Sequence, residues 1–471
     1  MCHKKEIIKD IRFWIIVFFL IRLFGISNPP LEVGHNWRQT TVTMVSRNFL
    51  EVDNNILYPR IDIAGEKTGI TGMEFPLLNY SIYIVAKVFG YQHWYGRLIN
   101  LFFSSFGLWF FYKLTRKYFT EQVAFYSTII LSVSIWFQFS RKIMPDTFST
   151  SLIIASIYYG SNYLDITLRK YSLLHLTIYV LLMSLGVLSK LPSGFLLVIF
   201  AIFLFDKIIP LKRKIIFSIV SLIGILPSVV WYYYWVPYLV DKYEFWHFFM
   251  GKGFSQGFNE IVQNFNETLS KFYDTALKFI GFGVFIYGLV YSFVKNDLKI
   301  YVLFLITFMS FSIIIIKAGF TFPHHNYYII PFVPVMAFIA GYGLSNIKYS
   351  KIASILLIMI CVEGIANQQH DFRIKEKDKG IINLEKDLDS VSLKNDLILI
   401  NSGSYPTPMY FAHRKGWVST NEKIQDGKYI ESLKDKGLKY IVILKRSFGS
   451  EILLTRYNKV LENEDYCIYE L

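Results

Sequence analysis

The sequence predicts a polytopic α-helical membrane protein of about eleven transmembrane helices, with a small C-terminal α/β domain outside the cytoplasm. Three observations lead there. Of 471 residues, 53% are hydrophobic and 18% aromatic, well beyond the roughly 45–50% apolar content of a soluble domain, and the mean hydropathy is +0.37. Apolar runs recur through the first 367 residues at lengths that suit a bilayer crossing, about 20 residues each with some shorter. Basic residues sit in short clusters between these runs, and their alternation sets an orientation.

The runs lie near 12–27, 97–114, 121–139, 147–164, 173–189, 193–209, 215–236, 276–294, 299–317, 326–346 and 351–367. The first follows a basic start, as in a signal peptide, but no small-residue cleavage site comes after it, so it reads as a retained helix. The run "PLLNYSIYIVAKVFG" at 76–90 is short and carries Lys87, which suits either a crossing or a helix lying at the interface. Charge decides between them. If 76–90 does not span, the clusters Lys4/Lys5/Lys9, Lys113/Arg116/Lys117, Arg169/Lys170, Lys207/Lys212/Arg213/Lys214, Lys295/Lys299 and Lys348/Lys351 all face the cytoplasm, as the positive-inside rule asks. The segment 76–90 is therefore expected to be interfacial or re-entrant.

This topology puts segments 28–96, 140–146, 190–192, 237–275, 318–325 and everything after 367 on the external face. Residues 1–367 form the predicted transmembrane domain, with 28–96 as a large first external loop, and 368–471 the external domain. The formal charge of +14 does not indicate nucleic acid, because the bases form no single patch or stripe. Cys2, Cys361 and Cys467 are too far apart in sequence for a disulfide framework or a CxxC metal site.

After 367 the chain turns polar, and short strand-like runs appear at 397–402, 438–445 and 466–471. Between them, "PTPMYFAHRKG" and "GKYIESLKDKG" have helical spacing and end at glycine, a common helix stop. About 100 residues are near the usual domain size.

Charged and polar groups collect on the external side: Glu32, His35, Arg38, Glu74, Arg97, Lys142, Asp146, Lys190, His324 and His325. A charge beside hydrocarbon costs about 2.5–3.5 kcal/mol on insertion scales and marks a site or a paired group. Together they suggest one polar chamber at the outer surface. Each also has a plainer reading. Asp146 would cap a helix beginning at Thr147, neutralised by Arg141 or Lys142; Glu74 would be an ordinary loop acid. The histidines, beside Tyr327 and Tyr328, would belong to an interfacial aromatic belt, and Lys190 would snorkel to the surface.

The ordered segments "HNWRQTTVTMVSRNF", "MEFPLLNY", "GRLIN", "SRKIMPD", "LSKLPSGF" and "HHNYYIIPFVPV" resemble the dolichyl-phosphate-mannose-protein mannosyltransferase-like family. This is the GT-C membrane glycosyltransferase group that includes glycosyltransferase family 39 and bacterial aminoarabinose transferases. The resemblance runs from about residue 10 to 345, and the tail with "MYFAHRKGW" is similar to the external domain of bacterial members. It implies sugar transfer from a polyprenyl-phosphate donor to an acceptor outside the cytoplasm, with a base for the acceptor hydroxyl and cations for the departing phosphate. Many relatives carry an acidic pair early in the first loop. Here that stretch reads His35, Asn36, Trp37, Arg38, Gln39, with Glu32 upstream. The base role therefore passes to Asp146 or Glu74, with Glu32 as the remaining acid. Arg38, Lys190 and His325 are expected to hold the phosphate; His35, Gln39, Arg97, Lys142, His324 and Tyr328 complete the expected donor site.

A glycan polymerase or ligase, or a polyprenyl-linked glycan flippase, would also be polytopic and basic inside. Transporters keep functional polar groups near mid-membrane in repeated halves, whereas here the charges gather at one face without a visible repeat. No cofactor is expected; a divalent cation has no spacing signature to support it. The expected partners are the polyprenyl-phosphate sugar, a lipid, glycan or protein acceptor, and the bilayer of a plasma (inner) membrane.

Overall fold

The computed structural model describes residues 7–168, 171–245, 251–448, 452 and 454–471. Cys2, Lys4, Lys5, Arg169 and Lys170 lie outside the described residues. The chain forms two compact units: Met1–Ile26, Arg97–Tyr233 and Phe249–Gln369 make the first, and Ser27–Gly96, Tyr234–Phe248 and His370–Leu471 the second.

The first unit is helical, and the eleven apolar runs fall largely on its helical segments. Among the described residues five helices are long and apolar enough to cross a bilayer: Ser172–Ser189, Leu211–Tyr243, Leu298–Ala318, Asn326–Ser345 and Ser350–Phe372. A sixth is obtained if Phe265–Ala276 and Lys278–Val294, bent by 97° at their junction, count as one span. The other runs depart from the expected pattern for local reasons. Run 12–27 gives a helix of 13 residues, Ile11–Leu23. Run 121–139 divides at Ser134 into Glu121–Val133 and Ile135–Phe139. Run 193–209 is a 3-10 segment, Leu191–Ile199, followed by the short helix Phe200–Phe205.

Burial sorts these helices into inner and outer ones. In Pro145–Leu164 every residue except Tyr158 and Tyr159 is buried. This helix carries Ser149, Thr150, Ser151 and Ser156 where an ordinary core helix would carry larger side chains. Small residues let membrane helices approach closely. A Cβ at Gly107 would collide with Ser151, and one at Gly341 with Ser127. Outer helices instead present Ile219, Leu222, Ile223 and Leu226, all exposed, as a lipid-facing surface requires. The break at Ser134 leaves buried carbonyls that hydrocarbon cannot satisfy. Gln368 answers them: its amide donates to the carbonyls of Val133 and Ser134 at 3.0 Å each, and its oxygen accepts from the Gln138 amide at 3.0 Å.

The second unit is built on a mixed five-stranded sheet of order β2-β1-β3-β5-β4. The strands are β1 Leu397–Ile400, β2 Gly416–Val418, β3 Leu438–Leu444, β4 Asn458–Glu462 and β5 Tyr466–Glu470. β1 runs parallel to β2 and β3, while β5 pairs antiparallel with β3 and β4. Alternate residues feed two cores, as the period of two demands. Ile441, Ile443 and Leu399 face Ile424, Ile430 and Leu433. Ile398, Ile400, Val442 and Leu444 face Met44, Val45, Phe49, Ile61 and Met73. Segment 28–96, expected as a large first external loop, thus contributes Met44, Val45, Phe49, Ile61 and Met73 to the core under the C-terminal sheet and groups with the second unit. Helix Leu77–Phe89, at 13 residues, spans about 20 Å at 1.5 Å per residue, too short to cross a bilayer core of about 30 Å. It buries Leu78, Ile82 and Ala86 and exposes Ile84, Val88 and Phe89.

Within the second unit His413 bridges two carboxylates, with Nε2 2.8 Å from Glu51 and Nδ1 2.5 Å from Glu385. Burial opposes its charge, but the two carboxylates prevail and raise its pKa above the ordinary 6.5. The hydrogen bond from His413 is the main cause holding Glu385 down at about 2, below its ordinary 4.5. The signs follow from linkage. The histidine's contribution is complete below 6.5 and disappears as pH rises through its raised value. That of Glu385 is complete above 4.5 and is lost as pH falls through about 2. Thermal unfolding of the full chain should therefore show a stability loss on going from pH 6 to alkaline pH, and His413→Gln should flatten that slope. An unchanged slope in the variant would place the titration elsewhere.

Candidate active site

In the first unit the expected acid sits at the start of its helix, but not as the cap. Pro145 opens the helix and Met144 flanks it, so Asp146 lies in the first turn. Proline is favoured at the first helical position because its missing N–H would be unsatisfied there anyway. Asp146 is thus free of the capping role the sequence suggested. A carboxylate in a first turn meets the positive end of the helix dipole. Asp146 is 2% exposed, and its Oδ1 lies 3.6 Å from Nζ of Lys190. Its Oδ2 accepts no hydrogen bond among the described residues.

Lys190 ends helix Ser172–Ser189, where Leu191 and Pro192 turn the chain. Snorkelling does not describe it, because the residue is 9% exposed. Its ammonium lies 5.3 Å from the ring centre of Tyr327 and 6.0 Å from that of Tyr328, at cation–π distance. Tyr327 stacks on Tyr328 at 4.9 Å and on His325 at 5.3 Å. His324 does not join them: it is exposed and packs its ring on Phe320. The remaining expected cations of this unit are buried. Lys142 lies 5.7 Å from the Phe139 ring, while Arg97 donates to the Ile26 carbonyl at 3.1 Å. Arg141 likewise donates to the carbonyl of Phe24. Arg97 thus has a structural task, fixing the chain as it leaves helix Ile11–Leu23.

In the second unit the "HNWRQ" stretch starts helix Asn36–Glu51 from His35, whose φ of 59° is left-handed. Arg38, in the first turn of that helix, pairs with Glu74, and both side chains are almost completely buried. Gln39 is fully buried and donates to the Gly34 carbonyl at 3.5 Å. Glu32, also fully buried, pairs its backbone with Ile374 in an isolated bridge. Within the first unit Asp146 and Lys190 come together with the Tyr327 and Tyr328 rings, and within the second Arg38 comes together with Glu74. Asp146, Lys190, His325, Tyr328, Arg97 and Lys142 belong to the first unit, with His324 apart from the cluster; Glu32, His35, Arg38, Gln39 and Glu74 belong to the second.

Sequence reasoning missed Tyr327 as part of the Lys190 cluster and overlooked Asn100, a fully buried polar residue inside helix Tyr95–Tyr118. A carboxamide amid apolar residues was its available signal, since buried polar groups in a membrane are costly without partners. Among the described residues no three His, Cys, Asp or Glu side chains converge as a metal cage.

Residues 74–233 match the family model described as "Dolichyl-phosphate-mannose-protein mannosyltransferase". The structure resembles ArnT from Cupriavidus metallidurans bound to undecaprenyl phosphate at 10% identity and a TM-score of 0.60, covering 97% of this chain and 98% of that one. The same enzyme in the apo state gives 12% identity and a TM-score of 0.61, covering 97% of each chain. The chain has the GT-C membrane glycosyltransferase fold. The Archaeoglobus fulgidus oligosaccharyltransferase in its apo form is similar as well, at 12% identity and a TM-score of 0.57, over 91% of this chain and 69% of the other. No curated protein matches the sequence. Within this GT-C chain the matched segment contains Glu74, Arg97, Asn100, Lys142, Asp146 and Lys190. Arg38 and the His325–Tyr328 aromatic group lie outside it.

Proposed function

We propose that this chain transfers a sugar from a polyprenyl-phosphate donor to an acceptor hydroxyl outside the cytoplasm, on a lipid, an envelope glycan or a protein. The observation that carries the reading is the buried Asp146–Lys190 pair. Among the described residues Asp146 Oδ2 accepts no hydrogen bond, and the Lys190 ammonium beside Oδ1 also faces the Tyr327 and Tyr328 rings. The ArnT structure that the fold resembles holds undecaprenyl phosphate, the kind of molecule left behind when a sugar departs from such a donor.

The step balances with these groups. Asp146 takes the proton of the acceptor hydroxyl, and that oxygen forms a bond to the anomeric carbon. The bond from that carbon to the phosphate oxygen breaks, and the electron pair leaves on polyprenyl phosphate, where Lys190 faces the growing negative charge. The rings of Tyr327 and Tyr328 lie at cation–π distance from the ammonium and restrain it. Glu74, paired with Arg38 in the second unit, is the alternative base. A glycan ligase would use the same chemistry on a larger donor.

The proposed setting is a multi-pass protein of the plasma membrane with eleven crossings, the shorter and broken helices included, and with Asp146 and the C-terminal segment on the outside. Cysteines introduced at Pro210 and Gln425 test this in intact cells. A membrane-impermeant thiol reagent should label the second and miss the first; the reverse pattern would invert the topology.

A further inference from the structure

We infer that Asn100 is a positioning residue, whose side-chain amide holds the 139–144 turn and the first turn of helix Pro145–Leu164 so that Asp146 keeps its place opposite Lys190. The inference rests on the proposed function for its kinetic consequences, but its geometry stands alone.

The chain between Phe139 and Pro145 has a hydrogen-bonding problem. One helix ends at Phe139 and the next begins at a proline, which offers no N–H. The intervening residues are buried, and backbone bonds run from the Lys142 N–H to the Phe139 carbonyl at 3.2 Å and from the Met144 N–H to the Lys142 carbonyl at 2.8 Å. Asn100 adds a side-chain clamp to them. Its Nδ2, sharing two hydrogens among three acceptors, donates to the carbonyls of Phe139 at 2.9 Å, Lys142 at 2.7 Å and Met144 at 3.2 Å. Its Oδ1 accepts from Thr147 Oγ1 at 3.0 Å and from Ser104 Oγ at 3.2 Å. Thr147 directly follows Asp146, and the same hydroxyl also lies 3.1 Å from the Phe139 carbonyl. One carboxamide on helix Tyr95–Tyr118 therefore grips both sides of the residue proposed as base.

Satisfying buried carbonyls would by itself be a folding role. Placement next to Asp146 adds a kinetic one, because a displacement of about 1 Å at a reacting group costs up to about 10²-fold in rate. Asn100 reaches the reaction only through the turn and the helix start, so its effect should vanish once Asp146 can no longer act as base.

The test uses wild type, Asn100→Ala, Asp146→Asn and the double variant, purified as full chains, with a polyprenyl-phosphate sugar as the probe. Asn100→Ala should lower kcat by about 10- to 100-fold while donor KM moves less than about threefold, and the double variant should be no slower than Asp146→Asn alone. Near-normal kcat in Asn100→Ala, or losses that simply multiply in the double variant, would overturn the inference. If Asn100→Ala yields no folded protein, Thr147→Val, which removes only the hydroxyl link, carries the same comparison. Hydrogen exchange of the 139–147 backbone provides a readout independent of transfer. It should quicken in Asn100→Ala while Ser172–Ser189 is unchanged; equal exchange would overturn the positioning role. If wild type fails to transfer sugar, the proposed function fails, and the exchange result alone decides about Asn100.

Discussion

Asp146→Asn should leave the protein folded and reduce sugar transfer by about 10²- to 10⁴-fold, the usual cost of losing a general base. The substitution keeps the size of the side chain and an oxygen for Lys190, but it removes the negative charge and the basicity. Because Asp146 lies inside the first turn and Met144 flanks the helix, the variant sacrifices no cap. Lys190 still has the rings of Tyr327 and Tyr328 nearby, so a lower melting temperature is expected without collapse. Donor KM should change far less than kcat, since the carboxylate acts on the acceptor proton rather than on the phosphate. Turnover close to wild type in matched folded protein would remove Asp146 from the chemistry and leave only its attraction to Lys190.

Arg38→Ala should act first on stability. Arg38 and Glu74 form a buried ion pair within the second unit, and removing one member of such a pair typically costs about 3–5 kcal/mol because the other charge is left uncompensated. Adding Glu74→Gln to Arg38→Ala should restore most of that loss, since the stranded charge is then gone. Chemical denaturation of the three variants measures this. Equal destabilisation of the single and the double variant would mean that the cost lies in lost packing and not in the orphaned carboxylate. The sequence alone had assigned Arg38 to the donor phosphate. Its burial against Glu74 makes the pair the first consequence to test.

Much of the fold was legible because a bilayer imposes strong compositional demands. Lipid-facing helices such as Leu211–Tyr243 and Leu298–Ala318 announce themselves by length and apolarity. The inner helix Pro145–Leu164 was found as well, although its serines and threonines dilute the signal. The central strands β1, β3 and β5 were visible as runs of buried apolar residues. β2 has only three residues, and β4 is an edge strand with a charged, largely exposed pattern, so neither stood out. The shared core of Met44, Val45 and Phe49 with Ile398 and Val442 joins residues more than 300 positions apart, which no local pattern encodes. At the site, Asp146 and Lys190 were legible as charges beside hydrocarbon. The exact helix start was not, although Pro145 carried the signal for it. The two adjacent histidines looked alike in sequence; only packing separates exposed His324 from His325 on Tyr327.

Transfer of sugar from a polyprenyl-phosphate donor, with Asp146 as base, is tested by mass spectrometry of glycolipids and envelope glycans from cells with the gene, without it, and with Asp146→Asn in its place. One sugar-bearing species should disappear on deletion and in the variant alike, while the polyprenyl-phosphate sugar accumulates. Identical profiles in all three strains, with no donor accumulating, would contradict it.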